Sequence, residues 1–246
     1  MTEAVAVGAG ESRGWMIRLV RLPNIFVDPA EIFDREAAEP NALLPLLVLS
    51  IGLGGLLMAY TGLIVNVALS SVPAASRAEL APTVSAMIDQ NKWIGLALMP
   101  LYVGASAFAA GLLIFAVASA TAPARQTESG GLHRAVSIAA YASLAILLEE
   151  LLTYTALTIV GFDNVHYFWD LKPLPGLHYL IGNPDTHRIA FAVLERINFF
   201  TALYAFLLAY GTRRVFRTSR LAAATAAAGA VLGGLFLTAV LAWAKS

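Results

Sequence analysis

Five long, predominantly apolar stretches constrain this chain more than any other feature: Ala42–Leu69, Trp93–Ala120, Ala135–Phe162, Ile189–Thr212 and Leu221–Ala244. About 20 such residues, wound as a helix, cross the roughly 30 Å hydrocarbon layer of a bilayer. Backbone amides find no water there, so each segment must close its hydrogen bonds within itself. The expected fold is all-α: an integral membrane bundle of five transmembrane helices over residues 42–246, preceded by amphipathic helices within 1–41. Composition agrees, since 59% of the residues are hydrophobic and only 13% charged, about half the charged share of a soluble domain.

Zero net charge argues against nucleic acid as a partner. The absence of cysteine excludes disulfides and thiolate metal sites. Residues 1–41 hold no apolar core ahead of a small-residue cleavage site, so the first span is expected to act as the targeting signal.

Basic residues orient the bundle. Arg213, Arg214, Arg217 and Arg220 form an acid-free patch between the fourth and fifth spans. Arg125 and Arg134 lie between the second and third, and Arg13, Arg18, Arg21 and Arg35 precede the first. Five spans put these three segments on one side. The other side carries Arg77, Lys92, Lys172, Arg188 and Lys245, while Arg196 falls inside a span. The positive-inside rule predicts a cytoplasmic N-terminus and basic patch, with the C-terminus outside. A bacterial inner membrane is the expected location.

Ahead of the first span, Trp15, Leu19 and Leu22 recur at helical spacing with Arg18 and Arg21 between them. This predicts a short helix on the headgroups. Asp28 can cap a second helix, with Pro29 at its first position and Glu31 in its first turn. Ile32 and Phe33 give that helix an apolar edge, and Pro40 ends it.

Pro29-Ala-Glu-Ile-Phe33 supplies a P-x-x-x-F element before a proline-led first span. The fourth span has a polar, aromatic entry (Asn198, Phe199, Phe200) and a Gly-Thr-Arg-Arg exit (Gly211 to Arg214), and an alanine-rich last helix follows. In this order, from Pro23 to Trp243, the chain resembles the Ypt-interacting protein (Yip) family of five-span membrane proteins. The Asp-Leu-Tyr-Gly-Pro signature of the eukaryotic branch, which binds small GTPases and organises vesicle traffic, is absent. The resemblance is to the prokaryotic members and implies a non-enzymatic protein that organises membrane or scaffolds partners.

At about 100° per residue, Ser143, Glu149, Glu150, Thr153, Tyr154 and Thr158 fall on one half of the third span. Leu144, Leu148, Leu151, Leu152 and Ile159 occupy the other. Both carboxylates can then face the bundle, which avoids the cost of a few kcal/mol for a charge in lipid. Arg196 of the fourth span is the expected partner of Glu149. The predicted inward polar cluster is Asn66, Glu149, Glu150, Glu195, Arg196 and Asn198. Its excess of acid would leave at least one glutamate protonated near neutrality. The cluster reads either as a structural network or as a proton or cation site of a small transporter. Small residues recur in several spans, including Thr225, Gly229 and Gly233 in the last. They suit helix packing within the bundle or between two copies.

The segment between the third and fourth spans holds His166, His178, His187, Asp163, Asp170 and Asp185, at spacings that match no compact ligand motif. Tyr167, Phe168, Trp169 and Tyr179 suit an interfacial aromatic segment, expected as short helices or turns over the bundle. No phosphate loop, nucleophile elbow or His-Glu-x-x-His is present. No enzyme, cofactor or metal is therefore expected. The bilayer, and a protein partner or second copy, are the expected contacts.

Overall fold

The computed structural model describes residues 15–70, 72–122, 130–165, 168–171, 173–180 and 187–244. Arg13, Arg125, His166, Tyr167, Lys172, Asp185 and Lys245 lie outside them, as do the side chains of Asp163, Phe168, Trp169 and Arg188. The eight named α-helices are α1 (Pro29–Ala38), α2 (Leu43–Ser70), α3 (Ala74–Thr121), α4 (Gly131–Ala142), α5 (Leu144–Val160), α6 (Arg188–Glu195), α7 (Phe199–Phe216) and α8 (Arg220–Ala244). Residues 15–20 are also helical, and no strand occurs among the described residues. The fold is an all-α bundle.

Four helices are long and apolar enough to cross a membrane: α2, α3, α4 with α5 as one unit, and α8. The fourth expected span, 189–212, is instead interrupted. α6 ends at Glu195 and α7 starts at Phe199, with Asn198 in extended backbone between them. α7 alone has 18 residues, two of them the arginines of its last turn.

The first half of α3 corrects a second boundary. The expected second span starts at Trp93 because charged residues end the apolar run there, yet the helix begins at Ala74 and continues through Pro82 for 48 residues. At 1.5 Å per residue that is about 72 Å, more than twice a hydrocarbon layer. Good helix formers around Pro82 (Ala74, Ala75, Ala78, Glu79, Leu80, Ala81) sustain it without an apolar pattern. Arg77 secures its start by donating to the carbonyls of Val72 at 2.8 Å and Ser70 at 3.0 Å.

α4 is the central element. Ala135, Ile138, Ala139, Ala140 and Ala142 are fully buried, so neighbouring backbones approach closely. A Cβ on Gly111 of α3 would stand 2.8 Å from the Cα of Val136. By contrast, Gly229 and Gly233 of α8 have nothing near their Cβ directions. The last helix is peripheral, with 11% of its most apolar window buried.

α1 forms as its sequence dictates. The Asp28 carboxylate accepts from the Glu31 amide at 3.3 Å and Pro29 occupies the first turn. The helix packs on α7 and α4, where Phe33 is fully buried and a Cβ on Gly211 would meet its ring at 2.7 Å. Ile25 and Ile32 are buried beside it. Each such side chain contributes about 1.5–3 kcal/mol where the alternative is exposure to water. The helical turn at 15–20 leaves Trp15, Met16, Ile17 and Val20 at least half exposed.

Candidate functional site

Two polar regions lie at opposite ends of α7. At its start, the leucine-rich half of α5 points outward as its periodicity requires: Leu151 and Leu152 are over 40% exposed and Ile159 more so. Glu149 and Thr153 are buried on the other half, and Glu150 is half-buried. Two residues depart from the pattern: Leu144 is buried, because the helix is offset at Ser143, where α4 passes into α5, and Thr158 near the end of α5 is exposed, its hydroxyl donating to the Tyr154 carbonyl at 2.8 Å.

Glu149 meets Asn198, not Arg196. The Asn198 amide donates to the Glu149 carboxylate at 2.7 Å and to the Glu195 carbonyl at 3.2 Å. Its Oδ1 accepts from the amides of Phe200 at 2.9 Å and Thr201 at 3.0 Å. One side chain thus caps α7 and ties the helix break to α5. Arg196 is exposed and forms no ion pair among the described residues. The expected pairing requires a straight helix, and the chain breaks between Glu195 and Phe199. Asn66 is likewise exposed on α2. The cluster therefore comprises the buried Glu149 and the half-buried Asn198, and Glu150 and Glu195 are half-buried beside them in the chain.

The segment after α5 covers this break with short 3-10 turns. Gly176 pairs with Asn198, and the Leu177 amide donates to the Ile197 carbonyl at 3.1 Å. His178 is buried there, 5.2 Å from the Phe191 ring centroid, with its Nδ1 unpartnered. Burial lowers its pKa, against the raising effect of the Glu195 charge. No group of three or more His, Asp or Glu able to hold a metal occurs among the described residues.

The other end of α7 carries the basic patch. Arg213, Arg214, Arg217 and Arg220 are all exposed. Arg214 grips Asp34 of α1 with two parallel bonds, Nε to Oδ1 at 2.5 Å and Nη2 to Oδ2 at 2.7 Å. The Arg214 guanidinium holds the Asp34 carboxyl below its ordinary range. A cleft of about 590 Å³ opens here, lined by Asp34, Tyr210, Arg213, Arg214, Arg217 and Thr218.

Glu36 is the main polar residue absent from the sequence-based set. It is 1% exposed, accepts from the Ser137 hydroxyl of α4, and accepts from the Asn41 amide at 2.6 Å. The hydroxyl of Tyr141, also on α4, interacts with the same carboxylate. Burial raises the Glu36 pKa, opposed by the hydrogen bonds from Ser137 and Asn41. The signal was present: Glu36 follows Ile32 by four residues and Phe33 by three, which puts a carboxylate on the apolar face of α1.

No protein-family model, curated protein or solved structure matches the chain. The geometry of these two ends alone supports the functional reading.

Proposed function

We propose that this chain is a non-enzymatic, Yip-type polytopic membrane protein that organises the bilayer or scaffolds partner proteins through its arginine-rich end. The observation that carries the reading is the construction of that end. α1 is fixed beneath the bundle by Phe33 against Gly211, by Glu36 with Ser137, and by Asp34 with Arg214. The result is a firm basic platform with Arg213, Arg217 and Arg220 outward. Such arginines attract anionic headgroups and acidic protein surfaces. In this reading the platform faces the cytoplasm of a bacterial cell and the C-terminus lies outside.

The chain has no cysteine, so a single introduced one reports on a chosen position. Glu39, 73% exposed at the platform, and Tyr179, 63% exposed at the opposite end, are suitable sites. A photo-crosslinker on Glu39→Cys in native membranes should give discrete protein adducts that disappear when Arg213, Arg217 and Arg220 are changed to Gln. The same label on Tyr179→Cys should not. Adducts insensitive to the arginines, or none, would sink the reading.

A second reading, a small transporter coupled to protons or cations, draws support from one observation. The helix break at Asn198 adjoins the buried Glu149 carboxylate, and transporters build ion sites at interrupted helices. Proteoliposomes carrying the chain would then dissipate a pH gradient, and Glu149→Gln would abolish that flux. No flux above empty vesicles excludes it.

A further inference from the structure

We propose that the cleft between α1 and the end of α7 binds a phosphate group, of the kind carried by an anionic lipid headgroup or by free phosphate. The inference gives the platform of the scaffolding reading a specific ligand. Three guanidinium groups line the cleft against one carboxylate. Asp34 spends both oxygens on Arg214, while Arg213 and Arg217 form no ion pair among the described residues. A helix C-terminus attracts only about half a unit of positive charge, so this number of arginines exceeds what α7 needs. The planar guanidinium fork matches phosphate oxygens in pairs.

Two further features point the same way. Thr218 is 6% exposed, lines the cleft, and its Oγ1 has no hydrogen-bond partner. A buried hydroxyl without a partner is costly, and a phosphate oxygen would accept from it. Arg217 ends α7 at φ 51°, in the left-handed region. Such backbone is strained for a residue that carries a Cβ. That conformation also turns the chain so that Thr218 reaches the cleft behind the arginine.

An apolar track leads into the same place. Phe206, 54% exposed, lies one helical turn before Tyr210 with ring centroids 5.8 Å apart, and Tyr210 lines the cleft. A phospholipid could seat its headgroup among the arginines and lay an acyl chain along Phe206.

The test uses the full chain purified in neutral detergent, with bound lipid counted by native mass spectrometry. Dioctanoyl phosphatidic acid is the anionic probe, dioctanoyl phosphatidylcholine the zwitterionic one, and inorganic phosphate the competitor. Phosphatidic acid should bind with preference over phosphatidylcholine, and the doubly substituted Arg213→Gln, Arg217→Gln chain should lose roughly tenfold or more in affinity. Arg196→Gln makes the same charge change at the opposite end of α7, where Arg196 is exposed, and should leave binding within about twofold, since exposed charges are screened over short distances. Asp34→Asn frees Arg214 and should tighten binding. Thr218→Val should weaken it and Thr218→Ser should restore it, which separates a lost contact from misfolding. Displacement by inorganic phosphate assigns the site to phosphate in general; retention of phosphatidic acid against it assigns the site to lipid.

The inference is overturned if phosphatidic acid shows no preference, if Arg196→Gln costs as much as the double change, or if Asp34→Asn weakens binding. Loss of this binding with arginine-dependent protein adducts intact would leave the scaffolding reading standing. Phosphate binding without adducts would do the reverse.

Discussion

The Asn198 amide reaches the Glu149 carboxylate at 2.7 Å, while the same side chain's oxygen takes the first free amides of α7. One residue thus solves two problems of an apolar environment. It satisfies backbone donors at a helix break and gives a buried carboxylate a donor. The break and the glutamate depend on each other through it.

Substitution separates the two roles. Asn198→Ala removes both, and should cost about 1 kcal/mol for the cap plus about 1–3 kcal/mol for the carboxylate's lost donor. Asn198→Asp keeps the cap but sets carboxylate against carboxylate, so it should be at least as damaging. Adding Glu149→Gln to Asn198→Asp restores a donor–acceptor pair with the roles exchanged, and should recover most of the loss. Thermal unfolding in detergent across this double-mutant cycle measures the coupling; strictly additive losses would show that the contact carries no energy.

Glu36 makes the docking of α1 depend on pH. Burial raises its folded-state pKa above the ordinary 4.5, so the folded chain holds this proton more tightly than the unfolded one. Stability therefore falls as pH rises from the unfolded pKa through the folded one, and levels off above it. Glu36→Gln keeps an acceptor for Ser137 and Asn41 without the charge. It should remove this slope and leave α1 better protected than the native chain at neutral pH. Hydrogen exchange of the α1 amides as a function of pH reads both effects, and identical profiles for the two chains would refute them.

The glycines divide sharply between structural and free. A Cβ on Gly111 would lie 2.8 Å from the Val136 Cα and 2.9 Å from its amide nitrogen, so a main-chain shift is required. Gly111→Ala should cost about 1–3 kcal/mol, the usual price of overpacking. Gly229→Ala meets open space and, inside a helix, should be neutral or stabilising by up to about 1 kcal/mol. The comparison also bears on self-association: a lowered oligomeric state in Gly229→Ala would mean that a second copy covers α8. Thermal stability and mass in detergent report the two effects.

Local chemistry was the legible part of this fold. The cap, first-turn proline and apolar edge of α1 all reside within Asp28 to Phe33, and the inward turn of Glu149 follows from helical period alone. What escaped was non-local or unmarked. Neither proline nor glycine flags the break at residues 196–198, so a hydropathy window reads one span where two helices meet. Pairing Arg196 with Glu149 assumes a straight helix, and a turn ending in one extended residue, Asn198, is enough to bring Asn198 there instead. Charged residues hid the first half of α3 in the same way, since hydropathy reports where lipid stops and not where a helix does.

Orientation gives the last prediction. The arginine-rich end gathers α1, the start of α4 and the start of α8, whereas the opposite end gathers the end of α2, the start of α3, the 3-10 turns and the end of α8. Each end is thus a set of positions that must label together. With no native cysteine, Glu39→Cys and Arg220→Cys report on one end, and Tyr179→Cys and Glu79→Cys on the other. The excess of arginine at the first end predicts that it stays inside. A membrane-impermeant maleimide added to intact cells should therefore label Tyr179→Cys and Glu79→Cys, and reach Glu39→Cys and Arg220→Cys only after the membrane is opened. Labelling of Glu79→Cys also tests α3 directly, because a helix of about 72 Å must carry its first turns clear of a 30 Å hydrocarbon layer. The reverse pattern would invert the protein in the membrane and move the basic platform outside; labelling split within one end would break the bundle topology itself.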